Sequence, residues 1–236
     1  MSVGAQEPAL RFEVASVKAN TGSDRSIPFR PPPPDGLILT NYPLDTLIAY
    51  AYQLQFFRVV GVPAWTRDAH FDIAAKAAGP ISDEQRRLML RSLLVERFHL
   101  KAHFEMREHT VYVMTLARAD KSLGPGLKPR PECDASPCES GGTGRQDSIV
   151  IRNVTLSQFA SGMLSNVRRE LVFDETGVPG RFDVELSWRP ETSTDTDDVR
   201  PALVTAIQEQ LGLKLEPQRR PIEMLVIESI DRPSPD

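Results

Sequence analysis

The stretch VFDETGVPGRFDVELSW, residues 172–188, decides how the chain is read. Taken alone it has the look of a catalytic loop, with acids, two glycines, a proline and an arginine between two apolar runs. Set beside residues 59–77, VVGVPAWTRDAHFDIAAKA, it becomes the second instance of one pattern. Gly177-Val178-Pro179 matches Gly61-Val62-Pro63, and Phe182-Asp183-Val184 matches Phe71-Asp72-Ile73. Gly177 and Gly180 offer backbone freedom and Pro179 stiffens the turn. The stretch therefore predicts a strand–turn–strand corner whose role is scaffold.

The match continues on both sides of this corner. LTNYPLDTLIAYAYQLQFFRV is echoed by IRNVTLSQFASGMLSNVRRELVF, with Asn41 opposite Asn153 and Leu44 opposite Leu156. Further on, LLVERFHLKAHFEMREHTVYVMTL is echoed by AIQEQLGLKLEPQRRPIEMLVIES. A self-similarity sustained over such a length predicts a duplicated unit. In the first copy Leu44, Leu47, Ile48, Ala51 and Leu54 recur at helical spacing. Ser82 with Gln85 forms a capping-box start for a second helix through Leu90, Leu93, Leu94 and Phe98. LKAHFEMRE and TVYVMTLAR are expected to close the unit as a hairpin. In the second copy Thr155 with Gln158 caps a helix carrying Leu156, Phe159, Ala160, Met163 and Val167, and KLEPQ and IEMLVIESI end the chain as strands.

The predicted fold class is α+β: two tandem related units of roughly β-α-β-β-α-β-β order, with helices packed on one face of antiparallel or mixed sheets. The expected boundaries are residues 1–120 for the first unit and 148–236 for the second. Residues 121–147, rich in Pro and Gly and containing both cysteines, are expected to be a linker. RSIPFRPPPPDG is a further irregular segment whose four consecutive prolines favour polyproline II.

FEVASVKAN, PLDTLIAYAYQLQFFRVVGVPAW, LRSLLVERFHLKAHFEMRE, VFDETGVPGRFDVELSW, ALVTAIQEQLGLKLEP and VIESIDRPSP together resemble a family of exported soil-bacterial proteins of unknown function, the soil-associated family or DUF3738. The resemblance runs nearly end to end. It implies an export signal, and a kinship with domains attached to BlaR-type membrane metalloprotease sensors. It supplies no catalytic residue. By element order alone, each unit also resembles the small domains at the N-termini of secretins and TonB receptors.

The bulk composition narrows the functional classes. With 236 residues, 40% of them hydrophobic, the chain can bury a substantial core. Its net charge of −4, with acids and bases interspersed, forms no broad basic face for phosphate backbones, so nucleic acid is not an expected partner. No apolar run reaches the roughly 20 residues of a membrane-spanning helix. MSVGAQEPALRFEV reads like the small-residue end of a secretory signal, with Val3 and Ala5 before Gln6, its charged and apolar regions truncated. An ordinary cytoplasmic start is the alternative. Cys133 and Cys138, in a Pro/Ser/Gly-rich segment, suit a small disulfide in an oxidising compartment, or free thiols. The expected location is periplasmic or extracellular.

Candidate chemistry is sparse. There is no GxSxG elbow, HExxH, Walker or dinucleotide glycine pattern. His70 with Asp72 or Asp68 could join a serine in a triad assembled across the fold. His103 and His109, facing one another across the expected hairpin beside Glu105 or Glu108, are the alternative for catalysis or a zinc or copper site. Asp174 and Glu175 are paired acids, with Arg181 placed to neutralise one of them. Trp65, in a loop after a proline, is a candidate for surface recognition. Tyr50, Tyr52, Phe56 and Phe57 are expected in the core. These features point to an exported, non-catalytic binding or interaction protein without a cofactor. Its ligand would be a protein, a peptide or an envelope component. The alternative is a secreted hydrolase or metal-dependent enzyme with a histidine site in the first unit.

Overall fold

A computed structural model describes residues 10–22, 31–135, 138–145, 147–190 and 198–233. The signal-like start at residues 1–9, the arginine–proline stretch at 25–30 and the acidic Ser/Thr gap at 191–197 lie outside them. The fold is α+β with antiparallel and mixed sheets. Its contacts divide the chain into two units, residues 1–107 with 222–236, and residues 108–221.

In the first unit, strand β1 (Val14–Asn20) and strand β2 (Gly36–Pro43) flank strand β4 (His70–Lys76) in an antiparallel sheet. Ile73 sits opposite both Val17 and Leu39. One face of this sheet is covered by helix α1 (Leu44–Tyr52) and helix α3 (Asp83–Phe98), while α2 is a single turn, Trp65–Asp68. The helical spacing is realised: Leu44, Leu47, Ile48 and Ala51 of α1 and Leu90, Leu93, Leu94 and Phe98 of α3 close one core with Phe71 and Ile73. Ser82 and Gln85 form the reciprocal cap at the start of α3, which satisfies two backbone donors that the helix itself cannot. A short strand, β3 (Val59–Val60), runs parallel to the chain's last strand, with Val59 opposite Leu225.

The second unit has a sheet and covering helices of its own. Strand β10 (Phe182–Ser187) lies between β6 (Leu127–Pro129) and β8 (Ser148–Val154), and β7 (Gly141–Gly144) extends the sheet beyond β8. The covering helices are α5 (156–168), whose middle, Phe159–Leu164, is π-helical, and α6 (203–211), which ends in a π-helical segment, Ile207–Leu211. A single turn, α4 (Glu132–Ala135), precedes β7. Strand β9 (Val172–Asp174) runs parallel to residues 112–114. The core here is built on Phe159, Leu164, Val184, Leu186, Trp188, Ile207 and Leu211. Thr155 and Gln158 cap α5 reciprocally, as the sequence predicts.

Left-handed residues follow one another in the same places: Asn41 and Asn153 before the first helix, Gln53 and Arg169 after it, Gly61 and Gly177 at the corner, and His99 and Gly212 after the second helix. Asparagine tolerates this conformation because its short polar side chain can bond locally.

Three expectations are corrected. First, residues 101–116 form one strand, β5, where a hairpin was expected, and residues 213–229 form another, β11, where two separate strands were expected. Nothing between Lys101 and Ala119 is a Gly, Pro, Asn or Asp, so no residue favours a turn there. Second, residues 121–147 are no linker, because β6 and β7 belong to the second unit's sheet. Glycine there permits close approach: a Cβ on Gly142 would collide with the Val150 carbonyl. Third, the units do not divide at 120 and 148. The neighbouring strands β5 and β11 are each shared, with 101–107 and 222–229 in the first unit and 108–116 and 213–221 in the second.

Candidate functional site

The two matched corners of the sequence pattern place its aspartates against asparagines. Asp72 Oδ1 accepts from the Asn41 backbone N–H at 2.8 Å and from Asn20 Nδ2 at 2.9 Å. His70 Nδ1 lies 2.9 Å from the Asn41 carbonyl, and since a carbonyl only accepts, this nitrogen carries the proton. In the second unit Asp183 accepts from the Asn153 N–H at 3.0 Å, and Arg181 donates to the Asn153 carbonyl at 3.0 Å. His70 and Arg181 thus hold equivalent positions, and both pairs clamp a left-handed asparagine where the sheet register breaks. Burial pushes the Asp183 carboxyl up. The Arg130 hydrogen bond at 2.8 Å and the Asn153 N–H outweigh it and hold the group below the ordinary carboxylate range.

The other candidates are dispersed. His103 is exposed, its Nδ1 2.6 Å from a Glu228 carboxylate oxygen and its Nε2 3.9 Å from Glu105. His109 is half-buried and belongs to the second unit. With β5 unbroken, the two histidines lie along one strand and do not face each other across a turn. Among the described residues no group of three or more His, Cys, Asp or Glu is placed to hold a metal ion. Asp174 takes hydrogen bonds from Ser157 and Thr176, and Glu175 pairs with Arg220, while Arg181 is engaged at Asn153. Trp65 starts α2, half-buried against the first core, with the Arg232 guanidinium 4.7 Å from its ring centroid. Tyr50 and Tyr52 pack on the same core, and Phe56 stacks edge-on to Phe57 at its margin. Cys133 and Cys138 are disulfide-bonded, and the Cys138 carbonyl accepts from Asn153 Nδ2 at 2.8 Å. The bridge thereby braces the second clamp.

A different feature has the geometry of a binding site. The second unit contains a cleft of about 990 Å³ lined by Gly144 and Arg145, by 166–170 at the end of α5, by Trp188, Arg189 and Pro190 after β10, and by Leu203 at the start of α6. Four of these residues are arginines, Arg145, Arg168, Arg169 and Arg189, against one acid, Glu170, in a chain whose net charge is −4. Arg168 is held in place: it pairs with Glu170 at 2.6 Å and its guanidinium lies 4.1 Å from the Tyr112 ring centroid. Its Nε is buried without a hydrogen-bond partner among the described residues. Arg145 and Arg189 are exposed and form no ion pair among the described residues. Their backbones are fixed by Arg145 N donating to Ser148 O at 2.7 Å and Arg189 N to Pro201 O at 2.9 Å.

Trp188 is 3% exposed, belongs to the core of this unit and is among the residues lining the cleft. Val167, Pro190 and Leu203 add half-buried apolar surface. Chemically the arrangement can hold a negatively charged group against apolar walls. Sequence reasoning missed this site because its arginines come from three separate segments. The one available signal was the lengthening of the second copy between Leu156 and Arg169 relative to Leu44 and Gln53.

No curated protein and no solved structure matches the chain. A family does, described as protein of unknown function (DUF3738), over residues 45–230. That span takes in all but the first residue of α1, the elements that follow through β11, the whole of the Asn153 clamp and every residue lining the arginine cleft, and the chain belongs to this family.

Proposed function

We propose that this chain is an exported, non-catalytic binding protein made of two related α+β units, of which the second has acquired an anion-binding cleft. The observation that carries the reading is the gathering of four arginines around one cleft in a chain of net negative charge. Guanidinium groups are weakly hydrated planar donors matched to carboxylate and phosphate oxygens, and Arg145 and Arg189 are available for that role. The matched left-handed positions and the paired asparagine clamps support descent of both units from one. A disulfide beside Asn153 and the signal-like N-terminus support a periplasmic or extracellular location. The natural ligand would be a peptide, a protein segment or an envelope component that presents an acidic group.

Calorimetric titration with a tetraglutamate peptide and with inorganic phosphate tests the reading. At least one should bind, more weakly as salt rises, and the double change Arg145→Glu with Arg189→Glu should abolish it. Heat-silent titrations of a folded protein with both probes would overturn the proposal.

A further inference from the structure

Resting on the anion-binding reading, we infer that the cleft selects amphiphilic anions: a carboxylate or phosphate carried on an apolar body, as opposed to a small hydrated ion. Size is the first argument. A volume of about 990 Å³ lies at the upper end of sites that enclose organic ligands, commonly about 300–1,000 Å³. An inorganic anion would leave most of that space as water against Val167, Pro190 and Leu203. Burying such apolar surface is favourable when a ligand supplies a matching apolar part.

Charge placement is the second argument. Arg168 is already neutralised in part by Glu170 and packed over Tyr112, yet its Nε remains a buried donor lacking an acceptor. Arg145 and Arg189 are exposed and form no ion pair among the described residues, although the Asp198 carboxylate feels the charge of Arg189. A ligand headgroup held by Arg145 and Arg189 would leave its apolar part to Val167, Pro190 and Leu203, above Trp188.

The third argument is how the wall was made. The π-helical segment Phe159–Leu164 lies within the longer α5, whose final turn delivers Asn166, Val167 and Arg168 to the cleft. Segments of this kind are rare and occur frequently at functional sites. The nine-residue α1 has no such extension.

The test compares decanoate and decyl phosphate with acetate, inorganic phosphate and decanol, all below micellar concentrations, by calorimetry on the intact protein. Trp188 fluorescence in a Trp65→Phe background locates the binding. Decanoate and decyl phosphate should bind at least tenfold more tightly than the other three and should perturb Trp188. Arg145→Ala with Arg189→Ala should weaken both at least tenfold. Leu203→Ser should weaken the decyl ligands while leaving inorganic phosphate unchanged, and circular dichroism confirms that each variant is folded. Equal affinity for phosphate and decyl phosphate, both lost in the arginine variant, would overturn the amphiphile inference and leave the anion site standing. Decanol binding as well as decanoate, indifferent to the arginine changes, would overturn it as nonspecific apolar adsorption. Absence of binding by every anion would remove both readings.

Discussion

After its left-handed asparagine the first unit builds a helix of nine residues and the second one that spans 156–168, although both open on a leucine and both end in a left-handed residue. The extra residues pass through a π-helical segment that keeps Leu156, Phe159 and Leu164 in the core while extending the helix end. In the first unit the added length falls elsewhere, between Gly61 and His70, where it forms the turn that begins at Trp65. The two units thus carry their extra residues at different places. The end of α5 helps to line a cleft with four arginines, whereas the turn at Trp65 presents an aromatic ring already covered by Arg232. Function in such a fold is to be sought where the two units differ, and stability where they agree.

The largest effects should come from where they agree. Phe98→Ala and Phe159→Ala each remove a fully buried ring from its unit's core, at an expected cost of about 3–5 kcal/mol. Urea denaturation measures both, and a cost under about 1 kcal/mol for either would break the equivalence of the cores. The corner glycines sharpen it further. Gly61 has φ +77°, and a Cβ there would stand 2.7 Å from the Ile227 carbonyl; Gly177 has φ +67° but open space around it. Gly61→Ala should cost about 2–4 kcal/mol, strain plus clash, and Gly177→Ala about 1–2 kcal/mol, strain alone. Equal costs would mean that the parallel pairing of β3 does not hold Gly61 against Ile227.

The clamps should respond next. Asp72→Ala and Asp183→Ala each strand an asparagine N–H, which predicts a loss of about 1.5–3 kcal/mol apiece in thermal or urea unfolding. The pH dependence distinguishes Asp183. Its folded carboxyl is held below the unfolded value of about 3.9, so its contribution is complete above that value and disappears as pH falls through the lower folded one. Asp183→Asn should flatten the acid limb of the stability profile; an identical limb in the variant would show that Arg130 and Asn153 do not favour the ionised form. Smallest are the caps. Ser82→Ala and Thr155→Ala should each cost about 1 kcal/mol, and agreement between them would extend the likeness to caps that open different helices.

What could be read in the sequence was what lies close together along it. The spacing of Leu44, Leu47, Ile48 and Ala51, the reciprocal caps at Ser82 and Thr155, and the Gly-Val-Pro corner all depend on neighbours within a turn or two. The aspartates of the Phe-Asp pattern were visible as a matched pair, but their role was not, because their partners lie 31 and 30 residues away at Asn41 and Asn153. The course of β5 and β11 was missed because pairing between distant strands leaves no local period. Glycines 141, 142 and 144 read as looseness, yet they form an edge strand where Gly142 lies too close to Val150 for a side chain. The cleft stayed hidden because Arg145, Arg168 and Arg189 meet only after β7, α5 and β10 have packed.

The sharing of β11 has a consequence for the order in which the protein can be made. Strand β3 finds its parallel neighbour at Leu225 and Val226, so the unit that leaves the ribosome first waits for residues that leave last. At about 5–20 residues per second, the intervening chain takes several seconds to more than twenty to synthesise. Throughout that interval Val59 and its surrounding core lack Leu225 and Ile227, two of the side chains that close it. A nick near residue 221 would therefore damage the oldest part of the molecule, not the newest.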